Sequence, residues 1–582
     1  MGLGKMLLEK LQPADIRRLN ESDKCALCEE IRSVIIDTVT KGGGHLASNL
    51  GAVESTVALF SVFDFPKDKI VFDVGHQCYP YKLLSGRYEK FNTLRKENGI
   101  SGFPKRSESA FDCYDTGHAG TAISAALGIA KARDLKGENH QVIAYVGDGS
   151  FNNGLVYEAL TSMQILKTKI LIILNDNGMS ISPTVGGMHD ILNDLRSETE
   201  KKAEGIKLLE SFGLSYLGVK DGNNCKEMTQ SLEQAKKLLE TNSVLLHIHT
   251  KKGKGYEFSE DEPTLTHGVP SMGAKKEREY SEVLGETLCQ LAKTDKSIAV
   301  VCAAMLDSLG LKQFFTDYPE RAFDVGICEE NASVLSAAMG TAGLKPYYAI
   351  YSTFLQRSFD EIIHDICQQD APVTFCIDRA GISGPDGETH QGVFDLSYLS
   401  LIPNLTICAP KDTEEFKEFL NFSANYPHPL AIRYPRNGLI KFNSENKKIE
   451  LGKWEYLQNE NSNLTVIAEG ERCLTMAMEI AETLKNKGLF IDVINARFIK
   501  PLDEEMLSLI KSDYIVTIED NVFLGGLGAM IDGWLTSNNK RHIVKNYAYE
   551  DKFIPHGSVK SLQNRFGVNK DEIESYITEV LK

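Results

Sequence analysis

Residues 142–154 read V-I-A-Y-V-G-D-G-S-F-N-N-G, and residues 169–182 read K-I-L-I-I-L-N-D-N-G-M-S-I-S. In each, a short aliphatic run stops at a Gly, Asn and Asp cluster. Runs of this length and composition read as strands buried on both faces. Between them, Gly154–Leu166 spaces its apolar residues as a helix does, so the stretch is a strand–helix–strand unit of a parallel sheet. Such sheets take ligands beyond the carboxyl ends of their strands. That places Gly147-Asp148-Gly149 and Asn175-Asp176-Asn177 on one rim.

Asp148 offers a carboxylate and Asn177 an amide oxygen, hard donors of the kind Mg²⁺ prefers beside phosphate oxygens. Gly147 and Gly149 let the backbone approach an anion. Taken alone, Gly-Asp-Gly is also an ordinary strand-end turn. The second cluster, on the same rim, favours the binding reading.

The remaining chain repeats this α/β pattern. Asn20–Thr40 reads as a helix with Asn20, Ser22 or Asp23 as N-cap and Gly42-Gly43-Gly44 as its stop, and a further helical run covers Leu50–Phe60. His45 follows the glycines, where a loop can approach a ligand. Val71–Val74 reads as a strand with Gly75-His76 at its carboxyl end. D-T-G-H-A-G-T-A-I-S (Asp115–Ser124) is a glycine-rich turn feeding the helix 122–132, a ready diphosphate site. Val244–Thr250 is another strand, while the charged stretch Asp190–Lys202 reads as mobile surface. A boundary falls near Pro270–Glu279. Strands are then expected at Ile298–Ala303, Phe323–Ile327 and Val373–Ile377, helices at Ala332–Gly340 and Phe354–Cys367. A connector at Asn443–Glu450 leads to strands at Leu464–Ala468, Ile491–Asn495 and Tyr514–Ile518. Gly525-Gly526-Leu527-Gly528 is expected to be a structural turn. The fold expected is therefore α/β, with three domains, 1–275, 276–445 and 446–582, each a mostly parallel sheet flanked by helices.

With 582 residues the chain is long enough for several cores. Its net charge of −16 argues against nucleic acid or another general polyanion as partner. No apolar run reaches membrane-spanning length and no secretory segment opens the chain. Twelve scattered cysteines suit a reducing, cytoplasmic setting. Cys25 and Cys28 form a lone C-x-x-C with no second ligand pair nearby, so it is read as structural.

The paired rim motifs resemble the diphosphate–magnesium motif of thiamine-diphosphate enzymes. D-V-G-H-Q (Asp73–Gln77), Y-S-T-F-L-Q-R (Tyr351–Arg357), D-R-A-G (Asp378–Gly381), D-G-E-T-H-Q-G (Asp386–Gly392) and R-Y-P-R (Arg433–Arg436) extend the likeness along nearly the whole chain. Together they resemble the 1-deoxy-D-xylulose-5-phosphate synthase family, which has a transketolase-like fold. The resemblance implies decarboxylative condensation of pyruvate with D-glyceraldehyde 3-phosphate, with thiamine diphosphate and Mg²⁺ as cofactors and a homodimer as the assembly. The product in that family feeds isoprenoid precursors and thiamine synthesis.

Residue by residue, the resemblance assigns Mg²⁺ to Asp148, Asn177 and the Met179 carbonyl. It assigns the cofactor to His76, Gly117, His118, Gly147, Gly149, Ser150, Lys252 and Phe354, with Phe354 stacking on the pyrimidine. Glu329, in G-I-C-E-E-N-A-S, becomes the partner of the pyrimidine N1′. His45, His76, His267 and His390 handle protons near the reacting carbon, with no single acid or base assigned. Arg357, Arg379 and Arg436, with Tyr351, Asp386 and His390, form the substrate group, since arginine forks suit phosphate. Two departures stand out: Ala119-Gly120 where the family carries hydroxyl residues, and Glu330-Asn331 where it carries Gln-His. The adjacent Glu330 would raise one of the two carboxyl pKa values if both face one site. Competing readings are a transketolase-like two-carbon transfer between sugar phosphates and a catalytically degenerate paralogue serving as a binding protein.

Overall fold

The computed structural model describes residues 7–180, 184–197, 201–273, 278–436, 442 and 448–582. It divides into two compact units, Met1–Lys275 with Gly326–Cys328, and Lys276–Val325 with Glu329–Lys582. Residues 274–277 of the expected boundary and 443–447 of the expected connector lie outside the described residues. So do Ile181 and Ser182 of the opening stretch.

The first unit is built on β1 (Lys69–Phe72), β2 (Val142–Gly147), β3 (Leu171–Asp176), β4 (Leu214–Asp221) and β5 (Ser243–His249). They pair in the order β1-β2-β3-β5-β4, every pair parallel. Alternation along the strands sorts their side chains. Ile143, Tyr145, Leu171 and Ile173 pack in one apolar cluster with Ile31 and Ile35, whereas Ala144, Val146, Ile172 and Leu174 pack in another with Leu127 and Leu160. Each large side chain fully buried in this way contributes about 1.5–3 kcal/mol. Gly147 pairs with Asn175 across β2 and β3, so the two rim motifs leave the sheet side by side.

The helix Gly154–Leu166 crosses between these strands, burying Val156, Ala159, Leu160 and Met163 at helical spacing. Asn153 caps its start by accepting the Leu155 N–H. The N-terminal helix spans Glu21–Gly42, with Asn20 accepting the Asp23 N–H and Gly43 (φ +80) ending it. The helix expected over 50–60 is two helices, Ala47–Gly51 and Val53–Val62. The stretch expected to be mobile surface is instead helical, Gly187–Arg196 and Lys202–Glu210, with 198–200 outside the described residues. Its charges hide a narrow stripe, Met188, Ile191, Leu192 and Leu195, that packs on the second cluster.

In the second unit, β6 (Ile298–Cys302), β7 (Ala322–Asp324), β8 (Lys345–Tyr351), β9 (Thr374–Asp378), β10 (Thr406–Cys408) and β11 (Leu430–Arg433) form a parallel sheet. β12 (Glu455–Gln458), β13 (Leu464–Ala468), β14 (Asp492–Asn495), β16 (Tyr514–Val522) and β17 (Ile543–Tyr549) form the other, in the order β12-β14-β13-β16-β17. Only β12 runs antiparallel to its neighbour there. β15 (Phe498–Lys500) leaves its own sequence neighbourhood and adds an antiparallel edge to β10, giving β15-β10-β11-β9-β8-β6-β7.

The strand expected at 323–327 is shorter because Gly326 (φ +73) turns the chain. The helix expected over 354–367 is broken into Ser352–Leu355, short turns and a wide-turn segment Ile362–Cys367, since Ser358 leaves helical geometry (φ −98, ψ 23). Gly525 (φ +75) and Gly526 do form a structural turn. The Glu519 carboxylate accepts the N–H groups of Leu527 at 2.7 Å and Gly528 at 3.0 Å, capping the helix Leu527–Ser537. Cys25 is exposed and Cys28 buried, and all twelve cysteines are free thiols. Among the described residues, no helix is long and apolar enough to cross a membrane.

The two sheets of this unit are tied by Arg433, fully surrounded at the end of β11. Its guanidinium donates to Asp395 (two bonds of 3.1 Å), to Glu469 at 2.8 Å and to the Asp520 carbonyl at 3.1 Å. Removing one member of such a buried network leaves charges without compensation. Arg433→Met is therefore expected to cost about 3–5 kcal/mol of stability, read as a lower urea midpoint. An unchanged midpoint would show that the network is dispensable.

Candidate active site

Asp148 opens a one-turn helix, Asp148–Phe151, just past β2, with only 2% of its surface exposed. Its carboxylate accepts the Thr184 hydroxyl at 2.7 Å and the Asn177 N–H at 3.4 Å. Burial, reinforced by the neighbouring Asp176, pushes its carboxyl up to about 7. No cation among the described residues forms an ion pair with it. Lys252 is close enough to feel its charge, but donates to the Ser180 carbonyl, and burial pushes its amine down to about 8. Asn177 Oδ1 accepts the Met179 N–H at 3.1 Å, which folds the turn so that Asp148, Asn177 and Met179 lie together. A Cβ on Gly149 would lie 2.8 Å from Ser180 Cβ, so glycine is required for this approach. A buried carboxylate without a cationic partner, beside an amide oxygen and a buried lysine, fits a hard divalent cation and a phosphate group.

Asp176 stands behind this turn. It bonds His247 Nε2 at 2.9 Å, the Gly178 N–H at 3.1 Å and the Arg196 guanidinium, while His247 Nδ1 meets the Tyr216 hydroxyl at 2.9 Å. Burial works against ionisation, yet His247 and Arg196 hold its carboxyl below the usual range. Asp176 was visible in the sequence only as the middle of N-D-N. Arg196 lay in the stretch read as surface.

Three of the four expected histidines converge. His45, His76 and His267 have ring centroids 5.6–5.9 Å apart. A two-residue antiparallel ladder, Gly44 with Val269 and His45 with Gly268, brings the distant His267 beside His45. Ser48 lies 3.4 Å from His267 Nδ1. Burial first, then the neighbouring histidines and Lys252, holds His76 and His267 well below the ordinary histidine value, so both are neutral at pH 7. His76 is presented by a strained turn, Val74 (φ +58) and Gly75 (φ +91), and a Cβ on Gly75 would lie 2.4 Å from Pro104 Cδ. Among the described residues His76 Nδ1 has no hydrogen-bond partner.

Asn49, which no local pattern distinguishes, fastens this cluster. Fully buried, it donates to the His45 carbonyl at 2.8 Å and the His76 carbonyl at 2.7 Å, and accepts the Tyr79 N–H at 2.8 Å. At the turn Gly117–Gly120, the Asp73 carboxylate accepts the N–H groups of Gly120 at 2.9 Å and Ala122 at 3.0 Å. Two donors of the helix N-terminus expected to hold diphosphate are thus already taken by an anion of the chain. His118 is half-buried beside them, and Ser150 is buried next to Asp148. Gly120 is required where the family carries a hydroxyl residue: a Cβ there would lie 2.4 Å from Asn153 Oδ1.

The second unit carries the other expected residues. Glu329 begins the helix Glu329–Thr341, is 4% exposed, and accepts a hydrogen bond from Arg357 at 3.1 Å. Arg357, expected with the phosphate group, pairs with Glu329 in this structure. Glu330 is half-buried and Asn331 is exposed, so the second departure points outward at Asn331. Phe354 stacks on Tyr351 at 5.7 Å and meets His390 edge-on at 5.4 Å. On Tyr351 lies the Arg379 guanidinium, 3.8 Å from the ring centroid. His390 Nδ1 meets the Thr389 hydroxyl at 2.9 Å, and Asp386 is half-buried on the same loop. Arg379 also pairs with Asp378, whose carboxyl burial pushes up to about 6. Arg379 (3.9 Å) and Arg436 (3.1 Å) converge on Glu279, a residue that sequence reasoning passed over.

Comparison with known proteins agrees with this architecture. Residues 276–440 match the transketolase pyrimidine-binding domain, and 452–573 the transketolase C-terminal domain. The matched domains therefore define a transketolase-like enzyme of the thiamine-diphosphate-dependent class. Residues 8–207 and 196–250 match the family model described as 1-deoxy-D-xylulose-5-phosphate synthase. The chain is 44% identical to the protein of that name from Clostridium kluyveri, covering 98% of this chain and 97% of that one. It is 45% identical to the one from Clostridium botulinum, covering 98% and 99%. The chain belongs to the 1-deoxy-D-xylulose-5-phosphate synthase family. A transketolase structure from Campylobacter jejuni, 19% identical over 96% of this chain and 100% of that one, overlays with a TM-score of 0.47.

Asn49→Asp keeps the shape of the side chain but cannot donate to the two histidine carbonyls. It is expected to lower kcat about 10- to 100-fold, the cost of a displaced reacting group, while the circular dichroism spectrum stays that of the parent. Parental turnover would show that the histidine loops hold their places without it.

Proposed function

We propose that this chain condenses pyruvate with D-glyceraldehyde 3-phosphate, releasing CO₂ and forming 1-deoxy-D-xylulose 5-phosphate. The observation that carries the reading is the rim of the first unit, where a buried carboxylate, an amide turn, a lysine and three neighbouring histidines converge. Asp148, Asn177 and the Met179 carbonyl would hold Mg²⁺, with His76, Gly117, His118, Gly147, Gly149, Ser150 and Lys252 around the diphosphate. Bound thiamine diphosphate would supply the electron sink that decarboxylation requires.

The chain's own groups do the rest. Glu329, paired with Arg357, is the proton partner of the pyrimidine N1′, and Phe354 offers the pyrimidine a flat apolar face. His45, His76, His267 and His390 handle substrate protons; in their neutral forms His76 and His267 each present one donor and one acceptor nitrogen. Arg357, Arg379 and Arg436, with Tyr351, Asp386 and His390, form the substrate group, the arginines binding the acceptor's phosphate. The same reading includes a homodimer in the cytoplasm and domains at 1–275, 276–445 and 446–582. Its product would serve isoprenoid and thiamine synthesis.

CO₂ release from pyruvate by the purified protein, with Mg²⁺ and thiamine diphosphate, is expected to depend strongly on the aldehyde phosphate and to yield a pentulose phosphate. Release from a ketose phosphate donor in its place would redirect the assignment. Glu329→Gln is expected to lose at least about 100-fold in kcat while still binding the cofactor; near-parental turnover would remove it from the mechanism. Arg379→Ala is expected to raise the acceptor KM far more than the pyruvate KM, and equal effects on both would sink that assignment.

A further inference from the structure

We propose that Glu279 is a built-in counter-ion of the acceptor's phosphate site, an affinity-setting residue that an incoming phosphate displaces from Arg379 and Arg436. This rests on the reading of those arginines as the phosphate group. Glu279 Oε1 accepts the Arg436 Nε–H at 3.1 Å, and Oε2 lies 3.9 Å from Arg379 Nη2. A carboxylate therefore already lies between the two guanidinium groups.

The local charge explains why this matters. Arg379 and Arg436 bring two positive charges, Asp378 and Glu279 two negative ones, so the cluster is neutral as it stands. Asp378 cannot leave: its side chain is 1% exposed, and it holds both the Arg379 N–H, at 2.6 Å, and the guanidinium. Glu279 can. Its side chain is 27% exposed, its partner Arg436 is 46% exposed, and beyond the two arginines its side chain's other polar contact among the described residues is the Ser281 hydroxyl at 3.5 Å. Nor does the fold need its carboxylate. Glu279 is the N-cap of the helix Tyr280–Thr294, yet its side chain caps none of that helix's N–H groups.

Once Glu279 swings away, the site regains positive charge, and two guanidinium forks face an anion with more oxygens than a carboxylate can offer. A phosphate dianion gains by the exchange, while an uncharged aldehyde has nothing to exchange. Glu279 thus sets the affinity for phosphorylated acceptors and leaves the pyruvate donor untouched.

The test uses the full chain with Mg²⁺ and thiamine diphosphate, comparing Glu279→Gln and Glu279→Ala with the parent. Both variants are expected to lower the KM for glyceraldehyde 3-phosphate about two- to fivefold, the scale of one released ion pair. The KM values for pyruvate and for unphosphorylated glyceraldehyde should not move. Titration calorimetry with inorganic phosphate should show tighter binding by a similar factor. An unchanged or higher KM for the phosphorylated aldehyde in both variants, while Arg379→Ala raises it, overturns the proposal and spares the phosphate reading. An acceptor KM indifferent to both Arg379→Ala and Arg436→Ala removes the reading and the proposal together.

Discussion

A carboxylate sealed from water is costly unless something compensates it, and the first unit is arranged around one. Asp148 has a hydroxyl, one long backbone contact and a lysine at a distance, but no ionic partner among the described residues. The register of β2 against β3 makes this unavoidable, because it sets Gly147 opposite Asn175 and sends both turns off the sheet together. Asp176, a second carboxylate one turn away, is paired with Arg196 and hydrogen-bonded to His247. One of the two acids is thus satisfied by the protein's own charged groups, and the other meets no such partner among the described residues. The difference between them is the chemistry of the site.

The second unit treats its charges in the opposite way. Glu329 is paired with Arg357, Arg379 with Asp378, Arg436 with Glu279, and Arg433 with Asp395 and Glu469. Aromatic stacking then fixes the positions: Arg379 on Tyr351, Tyr351 on Phe354, Phe354 against His390. Four residues that the sequence spreads over 351–390 become one column. Its order depends on Arg379 adopting φ +58 after β9, an unusual conformation for a side-chain-bearing residue.

The parallel sheets were legible because V-I-A-Y-V and L-I-I-L can hardly be anything but doubly buried strands, and the rim motifs because strand ends in such sheets face one way. The helix Gly187–Arg196 was not legible, since its four apolar residues are outnumbered by polar ones and only the periodicity betrays them. Asn49 and Glu279 escaped for another reason. Each acts through partners that are brought to it by the fold, so nothing in its neighbouring residues records the role. Arg357 shows what a motif leaves out: it marks the arginine, while its pairing with Glu329 depends on two segments that the fold brings together.

The strand Phe498–Lys500 has a consequence for how the chain is made. It closes the edge of a sheet whose other strands end at Arg433, and Trp454 Nε1 donates to its Phe498 carbonyl at 2.7 Å. During synthesis that sheet is therefore left with an open rim until some sixty further residues have been translated. Open rims recruit other strands. A chain cut after Arg433 would keep every group of the arginine column and still carry an unfinished, adhesive edge, so the C-terminal quarter protects the middle of the protein from its own neighbours.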